Sequence, residues 1–188
     1  MPLSFLYKKF APLSLAANTS ILSDIYYRGR LDILNGNWGG FHRAYVLKND
    51  IFEDIAKPPF DEPSRIRTVI SADLDNDGYD EIFLNNIGEP NKLFRILENG
   101  LVKQIPLDIG LEPDGYGTGA AVADIDNDGI LELLVSHGES RDQPLSLYKA
   151  KVNPEHKYLR IRPLNKYCLL YTSPSPRDLR RSRMPSSA

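Results

Sequence analysis

Clustered acids constrain this chain more than any other feature. In Asp73-Leu-Asp75-Asn-Asp77-Gly78-Tyr-Asp-Glu81, nine residues carry five acids, with Asp at positions 1, 3 and 5. Carboxylates packed so closely repel one another unless a cation lies among them. Oxygen ligands at alternate positions, followed by a glycine that permits a sharp turn, suit Ca²⁺. Mg²⁺ fits less well, because it keeps more of its waters. The candidate ligands are the side chains of Asp73, Asp75 and Asp77, the backbone carbonyl of Tyr79 and the carboxylate of Glu81. The same grammar returns at Asp124-Ile-Asp126-Asn-Asp128-Gly129-Ile-Leu-Glu132. There the candidates are Asp124, Asp126, Asp128, the carbonyl of Ile130, and Glu132. The ordinary alternative is a hydrated Asp/Asn/Gly turn; two such loops, each entering an apolar run, favour the ion.

An EF-hand is excluded by what surrounds the loops. That motif needs a bidentate Glu at position 12 and a helix on each side. Position 12 is Leu84 in the first loop and Val135 in the second. Short apolar runs flank both, Val69 to Ala72 and Ile82 to Leu84 in one case, Ala120 to Ala123 and Leu133 to Val135 in the other. Runs of that length read as buried strands, so each loop joins strand to strand.

A third, degenerate copy lies upstream. Asp24-Ile-Tyr26-Tyr-Arg28-Gly29-Arg-Leu-Asp32 keeps positions 1, 6 and 9 but has Tyr26 and Arg28 at positions 3 and 5. Arg28 puts a cation where the ion belongs, so Asp24 and Asp32 are expected to keep the turn without the metal. The copies begin 49 and 51 residues apart. A period near fifty, with several short strands in each unit, signals a propeller or another repeat array.

At these residues the sequence resembles a known family. Gly117-Thr-Gly119-Ala-Ala-Val-Ala-Asp124-Ile-Asp126-Asn-Asp128-Gly129 is similar to an FG-GAP/VCBS repeat, the blade unit of integrin-type β-propellers. Asn35 to Arg43, Arg67 to Ile70, Phe83 to Ile87, Leu93 to Arg95 and Ser136 to Ser140 resemble the ASPIC/UnbV branch of that family. His156 to Pro163 resembles the start of its C-terminal module. The resemblance implies an all-β fold, Ca²⁺ as the bound ion, an extracellular or secreted parent, and a protein or matrix partner.

Charge enters the argument through the tail. Residues 168–188 read as a translated sequencing adapter and are set aside from the fold. They hold four Arg, one Asp and the chain's one Cys, so a formal charge of −2 over 188 residues becomes −5 without them. No disulfide framework or thiol chemistry then remains. The acidic balance argues against binding a nucleic-acid backbone. No apolar run approaches a membrane span. Lys8 and Lys9 follow the first apolar residues instead of preceding them, which departs from a secretory signal.

Short strand signals fill residues 19–163. Ile21-Leu22, Leu31 to Leu34, Ala44 to Leu47 and Ile51-Phe52 are expected in the first copy. Arg65 to Ala72, Glu81 to Asn85, Asn91 to Leu97 and Leu101 to Pro106 are expected in the second, with Glu98-Asn99-Gly100 as a hairpin turn. The third has Tyr116 to Ala123, Leu131 to His137 and Pro144 to Lys149, then Tyr158 to Arg162 as a fourth strand or the opening of the next module. Lys57 to Ser64, rich in proline, reads as a connection. The glycines of Gly115-Tyr-Gly117-Thr-Gly119 precede a strand, not a helix, so close strand packing suits them better than phosphate binding. Trp38, Phe41 and His42 suit packing between blades, or a partner-facing patch. Ser136-His137-Gly138-Glu139-Ser140 does not make a catalytic triad, which needs a base and an orienter brought together in space.

The expected fold is all-β, a partial β-propeller of about three FG-GAP/VCBS-type four-stranded blades. Its copies span about 19–64, 65–114 and 115–163, residues 1–18 stay unassigned, and the ASPIC/UnbV-like module opens near 156–167. The expected function is a Ca²⁺-binding, non-catalytic scaffold. The rivals are a propeller-based enzyme with a site not yet located, and a truncated product with no function of its own.

Overall fold

The computed structural model describes residues 17–49, 51–97, 102–106, 112, 115–139, 142–151, 155, 158 and 159. Its strands form three antiparallel sheets that follow the three sequence copies. Blade one contains β1 (Ala17–Ser23), β2 (Asp32–Asn37), β3 (Arg43–Lys48) and β4 (Ile51–Asp54), hydrogen-bonded in that order. Blade two contains β5 (Ile66–Ala72), β6 (Glu81–Asn86), β7 (Lys92–Ile96) and β8 (Val102–Ile105), in the same arrangement. Blade three contains β9 (Gly117–Ala123), β10 (Glu132–His137) and β11 (Ser146–Lys149). The fold is therefore an all-β run of propeller blades, with three strands in the last blade among the described residues.

The residues explain which strands lie where. β6 runs from Glu81 through three apolar residues, Ile82, Phe83 and Leu84, to two asparagines, and all six of its residues are buried. It is the second strand of the middle blade, covered on both faces. β4 is outermost and largely exposed, and charged Glu53 and Asp54 lie along it. β1 begins at Ala17, inside the stretch left unassigned. The expected hairpin turn at Glu98 to Gly100 lies outside the described residues, although Ile96 pairs with Val102 on either side of it. Tyr158 and Leu159 form no strand, and the rest of the module expected at 156–167 lies outside the described residues, as does the 168–188 tail.

Two apolar clusters sit between blades. One joins Leu34, Val46 and Ile25 of blade one to Ile66, Val69, Leu84 and Phe94 of blade two. The other joins Phe83 and Leu93 of blade two to Leu133 and Val135 of blade three. Each blade is thin, so its apolar residues are buried only by the next blade. Burying a Leu- or Phe-sized side chain is worth about 1.5–3 kcal/mol. Phe60 joins the first cluster from the Pro-rich connection, 1% exposed and edge-on to Phe94 at 5.6 Å.

Polar residues at the strand ends tie the blades together, and the pattern repeats. The Asn37 amide donates to His42 Nδ1 at 3.1 Å, and the Asn86 amide donates to Asn91 Oδ1 at 2.8 Å. Asn37 Nδ2 and Asn86 Nδ2 reach the carbonyls of Phe41 and Pro90. Between blades, the Gly39 amide donates to the Ser64 carbonyl at 2.9 Å, and the Gly88 amide to the Gly115 carbonyl at 2.7 Å. The aromatic trio of blade one therefore divides. His42 is fully buried, Trp38 is half-covered by the Arg67 guanidinium 4.6 Å above its ring, and Phe41 is exposed.

Candidate metal centre

Each acidic loop joins the first strand of its blade to the second, so all three recur at the same place in the repeat. Loop one links β1 to β2, loop two links β5 to β6, and loop three links β9 to β10. Their backbones share one conformation. Position 4 is left-handed in all three, with φ of 52° at Tyr27, 57° at Asn76 and 65° at Asn127. Position 6 is left-handed as well, at 70° for Gly29, 90° for Gly78 and 86° for Gly129. Asn tolerates that region and Gly is indifferent to it, which accounts for the Asn-Asp-Gly string of the two intact loops. Tyr27 is held there in loop one without such tolerance.

The first Asp organises each turn by accepting backbone amides. Asp24 accepts from Arg28 at 2.8 Å and Gly29 at 2.6 Å, and Asp73 accepts from Asp77 at 3.1 Å and Gly78 at 3.0 Å. Asp124 accepts from Gly129 at 3.2 Å. The closing Glu turns back into the loop. Glu81 Oε2 takes the Leu74 amide at 3.0 Å and Glu132 Oε2 takes the Ile125 amide at 2.7 Å. Both glutamates are almost fully buried.

These turns bring three predicted ligands of each intact loop together. Asp73, Asp75 and Glu81 each offer an oxygen within 4.8 Å of the others, and so do Asp124, Asp126 and Glu132. Asp77 and Asp128 sit beside these triads, each accepting an amide two residues on, from Tyr79 at 2.9 Å and Ile130 at 3.0 Å. The Tyr79 ring packs edge-on to Tyr27 at 4.7 Å, while Ile130 is partly buried. The donor set is all carboxylate oxygen, the chemistry a hard divalent cation such as Ca²⁺ takes. Burial pushes Glu81 up to about 7, against the opposing pull of Arg95 and the Leu74 amide. Burial also raises Asp73. Such groups are costly to keep charged without a cation nearby.

Sequence reasoning missed the protein's own cations. Arg95 on β7 stands opposite Glu81 in the strand register, and Lys149 on β11 stands opposite Glu132. Arg95 reaches Glu81 Oε1 at 2.6 Å, Asp75 Oδ2 at 2.6 Å and Asp77 Oδ2 at 3.0 Å. Lys149 Nζ lies 2.7 Å from oxygens of Asp126, Asp128 and Glu132. In loop one Arg28 grips both oxygens of Asp32 at 3.0 Å. The register of two hairpins sets the first two pairings, and no fixed sequence spacing announces them.

Neighbouring loops touch one another. The Asp80 amide donates to the Tyr27 hydroxyl, and Asn76 Nδ2 donates to the Gly129 carbonyl at 2.9 Å. Asp80, beside the closing Glu81, accepts a hydrogen bond from Ser71 Oγ on Oδ2 at 2.8 Å.

Comparison with known proteins adds an independent line. A profile of FG-GAP-like repeats matches residues 24–84 and 73–135. Over 179 residues the chain is 41% identical to cartilage acidic protein 1 of Homo sapiens, and to the proteins of that name in Mus musculus and Xenopus tropicalis. The alignments cover 85% of this chain and 27–28% of those relatives, so it spans little more than a quarter of their length.

Proposed function

The chain belongs to the FG-GAP-like repeat family, and from that premise we propose that it is a Ca²⁺-binding, non-catalytic section of an extracellular-type β-propeller. Its role is to scaffold a protein or matrix partner. Two carboxylate triads carry this reading, Asp73/Asp75/Glu81 and Asp124/Asp126/Glu132, each gathered within 4.8 Å. Asp77, Asp128 and the carbonyls of Tyr79 and Ile130 complete the two ligand sets, and Asp24 and Asp32 keep a metal-free turn. Bound Ca²⁺ supplies positive charge that neutralises the cluster. The chain's part is to hold the acids in one turn, through amides given to Asp73, Asp124 and the closing glutamates. Pinning these turns fixes the pairing of the first strand with the second.

The relatives' name describes an acidic protein of cartilage, which supports an extracellular setting and a matrix partner. No helix among the described residues is long and apolar enough to cross a membrane. His137 supports the non-catalytic reading, since both its ring nitrogens are engaged, by the Pro144 carbonyl at 2.8 Å and by Glu112 at 2.6 Å.

Thermal melting in EDTA and in about 10 mM CaCl₂ tests the metal. For sites with Kd of roughly 10⁻⁴ to 10⁻³ M, that concentration stabilises by about 1.4–2.7 kcal/mol per site. The expected result is a rise of several degrees in Tm. An unchanged Tm, with no heat on calcium titration, overturns the reading.

A further inference from the structure

Every blade puts one basic side chain into its acidic loop, by two different routes. In blade one the cation is Arg28, built into the loop four residues before Asp32 and gripping both its oxygens at 3.0 Å. In blades two and three it comes from the third strand, as Arg95 across from Glu81 and Lys149 across from Glu132. Continuing the register that pairs Ile33 with Tyr45 sets Val46, which has no charge to offer, at the matching place in blade one. So the loop with its own cation lacks the cross-strand one, and the loops with a full set of acids have it.

Arg95 and Lys149 meet the same acids that the ion needs. Arg95 contacts Asp75, Asp77 and Glu81, and Lys149 contacts Asp126, Asp128 and Glu132. These are positions 3, 5 and 9 of each loop. A divalent ion and the basic head group compete for those oxygens. Both side chains are long, flexible and partly open to solvent, 26% exposed for Arg95 and 32% for Lys149. An arm of that kind has room to swing outward into water.

We propose that Arg95 and Lys149 are resident counter-cations, which hold their loops together without metal and are displaced when Ca²⁺ enters. Binding at these loops is then a cation exchange. The inference rests on the calcium reading above. It has a further consequence, because the two cations differ. Arg95 uses a planar fork with three nitrogens in contact, whereas Lys149 offers a single ammonium. A fork gripping several oxygens gives them up less readily than a point charge. Loop three therefore takes Ca²⁺ more tightly than loop two.

The test is calorimetric titration with CaCl₂ beside melting in EDTA, on the full chain and on Arg95→Met and Lys149→Met. Met keeps the aliphatic stem and removes the charge. Each substitution is expected to raise calcium affinity at its own loop by about tenfold or more, one decade per 1.4 kcal/mol of competition removed, while lowering Tm in EDTA. A merely structural role lowers that Tm and leaves affinity alone. Should Arg95→Met fail to fold, Lys149→Met and Lys149→Gln, on the outer strand of blade three, carry the test alone. Calcium binding to the unsubstituted chain with unchanged or weaker affinity in the variants overturns the exchange and leaves the calcium reading standing. Binding seen only in the variants means that Arg95 and Lys149 exclude the ion instead of exchanging with it, and overturns both readings for the native chain. No binding in any of them removes both readings.

Discussion

His42 Nε2 lies 2.9 Å from Ser64 Oγ, joining the β2–β3 connection of blade one to the residues just before β5 of blade two, inside the protein. The ring's other nitrogen accepts the Asn37 amide, so Nε2 carries the proton and donates. Ser64 passes the chain on to Asn86 Oδ1 at 2.9 Å. Each group in this relay is satisfied only while the imidazole is neutral. A second proton, on Nδ1, would face an N–H donor.

That arrangement makes stability depend on pH. Burial, and then the charge of Lys92, lowers His42 from 6.5 to about 4. Between those values the unfolded chain binds a proton that the folded chain refuses. Stability is therefore fully present above pH 6.5 and is lost as pH falls toward 4, by about 3 kcal/mol in all. His42→Asn copies Asn91, which takes the matching amide in blade two. Urea midpoints measured across that window should fall more steeply for the native chain than for His42→Asn. Equal slopes would place the pH sensitivity elsewhere.

Phe60 sits in a segment that reads as a linker, yet it is 1% exposed and packs against Phe94 and His42. Truncating it leaves a cavity between two blades that cannot close without moving both. Phe60→Ala is expected to cost about 3–5 kcal/mol, as for other large buried aromatics. A loss below about 1 kcal/mol by urea unfolding would mean that the segment is only loosely attached.

Local chemistry is what the sequence makes legible. Asp73, Asp75, Gly78 and Glu81 announce their loop because ligand type, spacing and turn geometry all fall within nine residues. The strands follow from short apolar runs, and the blades from the spacing of the loops. Arg95 and Lys149 were not legible, since their place depends on how two hairpins register. Phe60 was hidden by the prolines around it. Asn37 and Asn86 recur 49 residues apart, a visible signal. Their partners His42 and Asn91 look unrelated as residue types, and are alike only in accepting a backbone amide. Glu112 stands near the end of the second copy, and only the fold brings it to His137 in the third.

Gly117 separates close packing from mere flexibility in the glycine-rich string. It begins β9, and a Cβ built there would run into the Asn85 side chain and the Asn86 carbonyl of β6 in the adjacent blade. The Asn86 carbonyl is backbone and has little freedom to move aside. Gly117→Ala must therefore push blade three away from blade two, and overpacking of this kind costs about 1–3 kcal/mol. Gly40→Ala is the matched control. Its nearest contact would be Asn37 Cβ at 3.5 Å, an ordinary distance, and its φ lies outside the left-handed region. Both substitutions reduce the freedom of the unfolded chain alike, so the difference between them isolates the clash. In urea melts Gly117→Ala is expected to lose stability while Gly40→Ala stays within about 0.5 kcal/mol of the native chain. If the two behaved alike, the glycines would serve chain flexibility, and the tight approach of β9 to β6 would not be what selects them.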